Sequence, residues 1–246
     1  MAFIAFNAHG YHYKFNINTG QVIVQEGVFK IPSCGNVKVK ADETILTSES
    51  CKETLLIPKG SSLELTSKNG SLIIQNTDLV LLKVSMTTGA LKLSSTAKNV
   101  YLHQGNASTT ITNSKIEFLE FDSKGGSLTS SQNQIDSLIA ESMDGNFQIE
   151  TILKRGFLFS RLGSIKLDKI PEKLKVKTLH GSISLKNYLD QSVIVKSMDG
   201  QVTIFCSSKN SKGELNISNY AGKTNLHCPV LKTLQYSGNK KLLTYL

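Results

Sequence analysis

The sequence predicts an all-β protein built as a parallel, single-stranded β-solenoid, or β-helix, with rungs of about nineteen residues. Three observations carry that prediction. A glycine returns at near-constant spacing, apolar residues alternate on both sides of it, and each unit matches the next, like upon like.

The returning unit is legible in Ser67-Lys68-Asn69-Gly70, Met86-Thr87-Thr88-Gly89, Ser142-Met143-Asp144-Gly145, Ser160-Arg161-Leu162-Gly163, Thr178-Leu179-His180-Gly181 and Ser197-Met198-Asp199-Gly200. Aligned on glycine, the series runs Gly70, Gly89, Gly105, Gly126, Gly145, Gly163, Gly181, Gly200, Gly222 and Gly238. Two positions after the glycine stand Leu72, Leu91, Leu128, Phe147, Ile165, Ile183 and Val202, and four after stand Ile74, Leu93, Ile149, Leu167, Leu185 and Ile204. This alternation is that of a strand with one buried face. A second strand precedes each turn, carrying pairs such as Leu174 with Val176 and Val193 with Val195. Glycine at the corner answers a need for positive φ or close backbone approach, and the preceding Ser or Thr can bond local backbone there. The turn positions that define the register are Gly70, Gly89, Gly126, Gly145, Gly163, Gly181, Gly200 and Gly222.

Asn-Gly and Asp-Gly between apolar runs are also a hairpin signal, so an antiparallel meander competes with the solenoid. Pairing separates the two. A two-residue hairpin at Asp144-Gly145 would set Phe147 opposite Ser142, and the same mismatch would set Val202 opposite Ser197. Repeated polar against apolar pairing on a buried face is costly. In a parallel stack Ile165 lies on Ile183 and then on Val202, which also explains the constant period.

No linker or composition shift divides residues 1–246, which read as a single solenoid domain. Residues 1–60 follow the rule less regularly, with Phe15 before Gly20 and Val22 and Val24 after it, Val37 and Val39 after Gly35, and Leu55 and Ile57 at a glycine-free turn near Glu53. Residues 223–246 read as a C-terminal cap, because Thr224 and Lys240 replace the apolar residue two positions after Gly222 and Gly238. A parallel stack leaves unpaired backbone groups at each end. The apolar tail holding Leu242, Leu243, Tyr245 and Leu246 is therefore read either as a lid on the open core or as an end-to-end interface.

With 246 residues, 39% of them hydrophobic, the chain is long enough for a real core, and its apolar runs are far shorter than a membrane helix requires. Its net charge of +9 comes almost wholly from lysine, since Arg155 and Arg161 are the only arginines. Nucleic-acid readers concentrate arginine, so the scattered lysines favour a solvated face. The N-terminus shows no basic region followed by an apolar stretch, hence no visible secretory signal. Localisation stays open between the cytoplasm and export by a signal-independent route. Cys34, Cys51, Cys206 and Cys228 lack C-x-x-C spacing and are too few for a disulfide scaffold, so reduced thiols are expected. Cys206 and Cys228 each stand six residues after a repeat glycine and are expected close together on consecutive rungs, but free, because parallel in-register side chains are poorly aimed at each other.

The S-x-[DN]-G-x-[FIV]-x-I units, clearest at Ser142 to Ile149 and Ser197 to Ile204, resemble the bacterial adhesin-type β-solenoid family of unknown function, related to auto-transporter adhesin heads. The resemblance covers residues 60 to 230. It implies a stalk-like or surface solenoid without known catalysis and supplies no catalytic residues.

The residues themselves point away from an enzyme. His9 and His12 have H-x-x-H spacing, but Gly10, Tyr11 and Tyr13 mark strand or turn and no third ligand is near, so no metal or other cofactor is expected. His180 and His227 have no identifiable carboxylate partner in sequence. Asp144 and Asp199 occupy equivalent corners three rungs apart, too distant for a glycosidase pair, and Leu162 and His180 between them break any acidic ladder. Lys124-Gly125-Gly126-Ser127 lacks the phosphate-loop pattern. Phe121 and Phe147 fall at core-phase positions, and Tyr101, Tyr188, Tyr220 and Tyr236 are too spread to suggest a platform. The expected function is a non-enzymatic, adhesin-like elongated binding or scaffold protein presenting a solenoid face to a protein or glycan. A self-associating structural rod and a polysaccharide-active solenoid are the alternatives.

Overall fold

A computed structural model of the chain describes residues 11–39, 43–207, 211–228, 231–238 and 243–245, with 211–212, 231–234 and 243–245 described as backbone. His9, Lys240, Leu242 and Leu246 lie outside the described residues. The chain is an all-β parallel solenoid with no helix among the described residues. Four N-terminal strands, β1 (His12–Glu26), β2 (Asn36–Val39), β3 (Glu43–Ile57) and β4 (Ser61–Gln104), lead into two ladders. The first ladder holds β6 (Lys115–Ser123), β8 (Gln134–Ser142), β10 (Arg155–Ser160), β12 (Lys173–Thr178), β14 (Ser192–Ser197), β16 (Ser211–Asn219) and β18 (Leu231–Gly238). The second holds β5 (Ser108–Thr112), β7 (Leu128–Ser131), β9 (Phe147–Thr151), β11 (Ile165–Lys169), β13 (Ile183–Tyr188), β15 (Val202–Cys206), β17 (Thr224–His227) and β19 (Leu243–Tyr245). Arg155 pairs with Lys173 and Lys173 with Ser192, so successive turns are 18 and 19 residues apart.

Like stacks on like through the interior. Phe147 pairs with Ile165, Ile165 with Ile183, and Ile183 with Val202, while Leu174 pairs with Val193 and Val176 with Val195. All are buried, and inward side chains from both ladders form one continuous core. Volumes compensate locally. Gly156 fills a core position without a side chain, and a Cβ there would lie 2.8 Å from Leu174 Cδ1 and 3.1 Å from Ile152 Cδ1. Phe121 and Phe147, on neighbouring rungs, meet edge to face at 5.8 Å beside the small Ala140.

At the glycine corner the backbones of adjacent rungs approach so closely that no side chain fits. A Cβ on Gly181 would lie 1.9 Å from the Gly163 carbonyl oxygen, and one on Gly200 would lie 1.8 Å from that of Gly181. Glycine is thus required there by packing, whereas Gly89 also has a φ of 114°. In four S-x-x-G units the Ser is buried and accepts from the glycine three residues on, as in Gly145 N to Ser142 Oγ (2.8 Å) and Gly163 N to Ser160 Oγ (2.9 Å). Ser160 Oγ also donates to the Gly145 carbonyl at 2.9 Å, which ties each corner to its neighbour. In the rung between Gly89 and Gly126 the register position belongs to Ala107, not Gly105. Leu91 pairs with Thr109 and Thr109 with Leu128, so Gly105 lies two residues early, in a widened corner. Gly238 likewise pairs with Asn219 and not with Gly222.

Chain order and stacking order part company at the N-terminal end. β1 is parallel to β3 on one side and to β4 on the other, so the first strand is sandwiched between two that follow it. Tyr13, Phe15, Ile17, Val22 and Val24 are thereby fully enclosed. β2 runs antiparallel along the outer edge of β3, from Asn36 opposite Thr47 to Val39 opposite Thr44, and occupies backbone groups that would otherwise template another strand. At the opposite end β19 continues the second ladder in parallel on β17, with Thr224 opposite Leu243 and Leu226 opposite Tyr245. Thr224 is buried, and its hydroxyl accepts from Asn219 Nδ2 at 3.0 Å.

The cysteines are not free. Cys34 is bonded to Cys51 and Cys206 to Cys228, with Cα separations of 5.1 and 5.0 Å. Cys206 and Cys228 do sit on consecutive rungs, but they lie where the regular ladder ends. The register shifts between Leu185 and Tyr188, Cys206 closes β15, and Cys228 falls just beyond β17. Away from a continuous ladder the two side chains turn toward each other, Cys228 from the core and Cys206 from a half-buried position.

Candidate functional site: the outer face of the first ladder

Alternation that sends Leu158, Val176 and Val195 inward sends their neighbours outward, and parallel register arranges those neighbours in columns. The central column runs Tyr101, Glu120, Ile139, Phe157, Lys175, Ile194. On one side of it stand Phe118, Ser137, Arg155, Lys173 and Ser192, and on the other His103, Asp122, Glu141, Phe159, Lys177 and Lys196. Phe118, Ile139, Phe157 and Ile194, with Arg155, Lys173 and Lys175, line an open depression of about 520 Å³. Ile139 is 36% and Ile194 37% exposed, so both present apolar surface on this face. Tyr101 and Phe118 are in contact, with ring centroids 5.9 Å apart.

Charge is segregated along this face. Glu120, Asp122 and Glu141 stand toward the N-terminal end, and Arg155, Lys173, Lys175, Lys177 and Lys196 toward the C-terminal end. Lys175 Nζ lies 5.5 Å from the centroid of Phe157, and Lys177 Nζ 5.3 Å from that of Phe159, so the rings carry their own cations. Among the described residues Glu120, Glu141, Lys173 and Lys175 have no ion-pair partner within the chain. The outer face of the second ladder differs, its central column presenting Thr129, Gln148, Lys166, Ser184 and Thr203, polar throughout.

The histidines have partners that the sequence reading did not identify. His180 Nδ1 lies 2.8 Å from Asp199 Oδ2 across adjacent corners, and the neighbouring corners pair Arg161 with Asp144 at 3.4 Å. His12 lies 3.8 Å from Glu64, and His227 stacks on Phe205 at 4.4 Å. His103 and Asp122 are 3.7 Å apart, beyond hydrogen-bond distance, and both are more than half exposed. Cys34, Cys51 and Glu53 converge, but the two sulfurs are already joined and offer no thiolate. Tyr188 is fully buried, as are Phe121 and Phe147, whereas Tyr220 is 79% exposed.

The exposed rings of this face are mainly phenylalanines, which the tyrosine positions do not reveal. The signal lay in parity: Leu158 stands five residues before Gly163, in core phase, so Phe157 and Phe159 must point outward. The same rule puts Lys173, Lys175 and Lys177 on one face, so lysines scattered in the sequence form a clustered stripe in the fold.

Rungs of two strands and a glycine corner, closed around one apolar core, define the protein as a solenoid of the parallel β class. The chain belongs to the Toastrack DUF4097 family, which matches residues 41–241. That match begins after β1, the strand sandwiched between β3 and β4. No curated protein and no solved structure significantly matches the chain.

Proposed function

We propose that this protein is a non-enzymatic, elongated scaffold whose working surface is the outer face of β6, β8, β10, β12 and β14, and that this face binds a protein. One observation carries the reading: Phe118, Ile139, Phe157 and Ile194 form an accessible apolar centre bordered by charged side chains, the anatomy of a protein interface. A glycan platform would offer free ring faces, but the lysines over Phe157 and Phe159 already cover theirs. The adhesin-like placement suggested by the resemblance is supported by two disulfides, which persist in oxidising compartments.

The test is capture of partners by the immobilised full chain. An Ile139→Asp, Phe157→Asp variant is expected to lose what the parent protein captures, while a Thr129→Asp, Thr203→Asp variant on the second ladder retains it. Equal capture by all three proteins would place the working surface elsewhere.

A further inference from the structure

We infer that the occupant of this face is a second copy of the chain, packed face to face with the two rods antiparallel. The inference rests on the proposed interface and names its partner. It follows from the order of the central column, which is nearly self-complementary when reversed. A two-fold axis lying in the interface along the strands, between β8 and β10, keeps each column on itself and inverts its sequence. Read against its own reverse, Tyr101, Glu120, Ile139, Phe157, Lys175, Ile194 sets Tyr101 on Ile194, Glu120 on Lys175 and Ile139 on Phe157. Apolar meets apolar and acid meets base, twice each by symmetry.

In the flanking columns the same operation sets Asp122 on Lys177 and Phe118 on Lys173, a cation placed over a ring, while Glu141 on Phe159, His103 on Lys196 and Ser137 on Arg155 add no complementary charge, so the central column carries the match. The parallel alternative, with the axis along the rod, sets Glu120 on Glu120 and Lys175 on Lys175. Like charges face to face oppose it, so charge order selects the antiparallel pair. Among the described residues Glu120 and Lys175 lack ion-pair partners within the chain, and Lys175 would exchange its place over the Phe157 ring for the partner's Glu120.

The extent of the patch sets the strength of the association. From Tyr101 to Ile194 the column spans five rung spacings, roughly 24 Å, and three columns are roughly 20 Å wide with their side chains. Roughly 500 Å² per copy lies at the lower bound for a specific interface. A reversible dimer with a micromolar dissociation constant is the expected form.

Sedimentation of the purified full chain between about 1 and 200 μM tests this. Lys175→Glu and Glu120→Lys are each expected to weaken the dimer by about tenfold or more, and the Glu120→Lys, Lys175→Glu double variant, which restores opposite charges in reversed order, to return it to within about threefold of the parent. A zero-length carbodiimide cross-link between Glu120 and Lys175 of the parent protein, confined to the dimer, gives a readout independent of any variant. A strictly monomeric parent, a dimer unmoved by single reversals, or a double variant that fails to recover would overturn the inference. Loss of self-association together with retained, Phe157-dependent capture of another protein would overturn the second copy alone and leave the proposed interface standing.

Discussion

Two tyrosine hydroxyls show what a narrow apolar interior demands of single residues. Tyr13 and Tyr188 are fully buried, and among the described residues neither hydroxyl has a hydrogen-bond partner. Burial pushes Tyr188 up to about 12, with the charges of Asp190 and Glu214 adding to the shift, and burial with Tyr11 nearby does the same for Tyr13. In the unfolded chain both titrate near about 10. Above that pH the unfolded state loses its protons first, so the stabilising contribution is complete below about pH 10 and declines as pH rises toward 12. Tyr188→Phe removes one of the two groups and an unpaired polar atom with it. The variant is expected to be at least as stable as the parent at neutral pH and to lose less stability than the parent between about pH 10 and pH 12. Urea denaturation across that range is the check, and a variant profile superimposed on the parent's would refute the assignment.

Elements at the two ends carry devices that the interior lacks. Cys34–Cys51 fastens the segment leading into β2, which edges β3, and Cys206–Cys228 fastens β15 to the rung above it. Cross-links over 17 and 22 residues contribute on the order of 3 kcal/mol each, and at the ends of a stack that contribution acts on fraying rungs. Reduction is therefore expected to speed amide exchange in β2 and β17 while leaving β8, β10 and β12 unchanged. Uniform acceleration along the chain would show that the bonds act globally. The repeat and its inward alternation were legible because stacking equivalent residues forces the same chemistry at each rung. The disulfides were not, since they form where the ladder loses its register, and neither was the placement of β1, because nothing in the local alternation of β1 says that it pairs with both β3 and β4. Ala107 hid for a related reason: the widened corner supplies a decoy glycine two residues before it. For the candidate face, outward Phe157, Phe159 and the lysines of β12 could have been read from parity, but their union with Tyr101, Phe118 and Ile139 required counting register across five rungs.

For the whole molecule, the governing fact is that each rung contacts only its neighbours, so stability is a sum of rung and interface terms. This makes one turn removable and half a turn not. Deleting residues 155–172 joins Lys154 to Lys173, which already occupies the position of Arg155 one turn later. Leu138 then meets Leu174, Ala140 meets Val176, Phe147 meets Ile183, and Gly145 lies beneath Gly181 with no Cβ to intrude. Every retained inward side chain remains inward. Deleting residues 155–163 instead removes β10 and its glycine corner, sends β11 into the place of the first ladder, and exchanges the ladders for every strand that follows. The 18-residue deletion is expected to keep an all-β circular dichroism spectrum and a single cooperative unfolding transition, whereas the shorter deletion unfolds. The tolerated deletion removes Phe157 but leaves Tyr101, Glu120, Ile139, Lys175 and Ile194 in an order that still matches its own reverse, so the shortened rod is expected to keep a weaker self-association. Collapse of both proteins would mean that the stack is stabilised as one cooperative whole, and survival of both would mean that register does not hold the ladders apart.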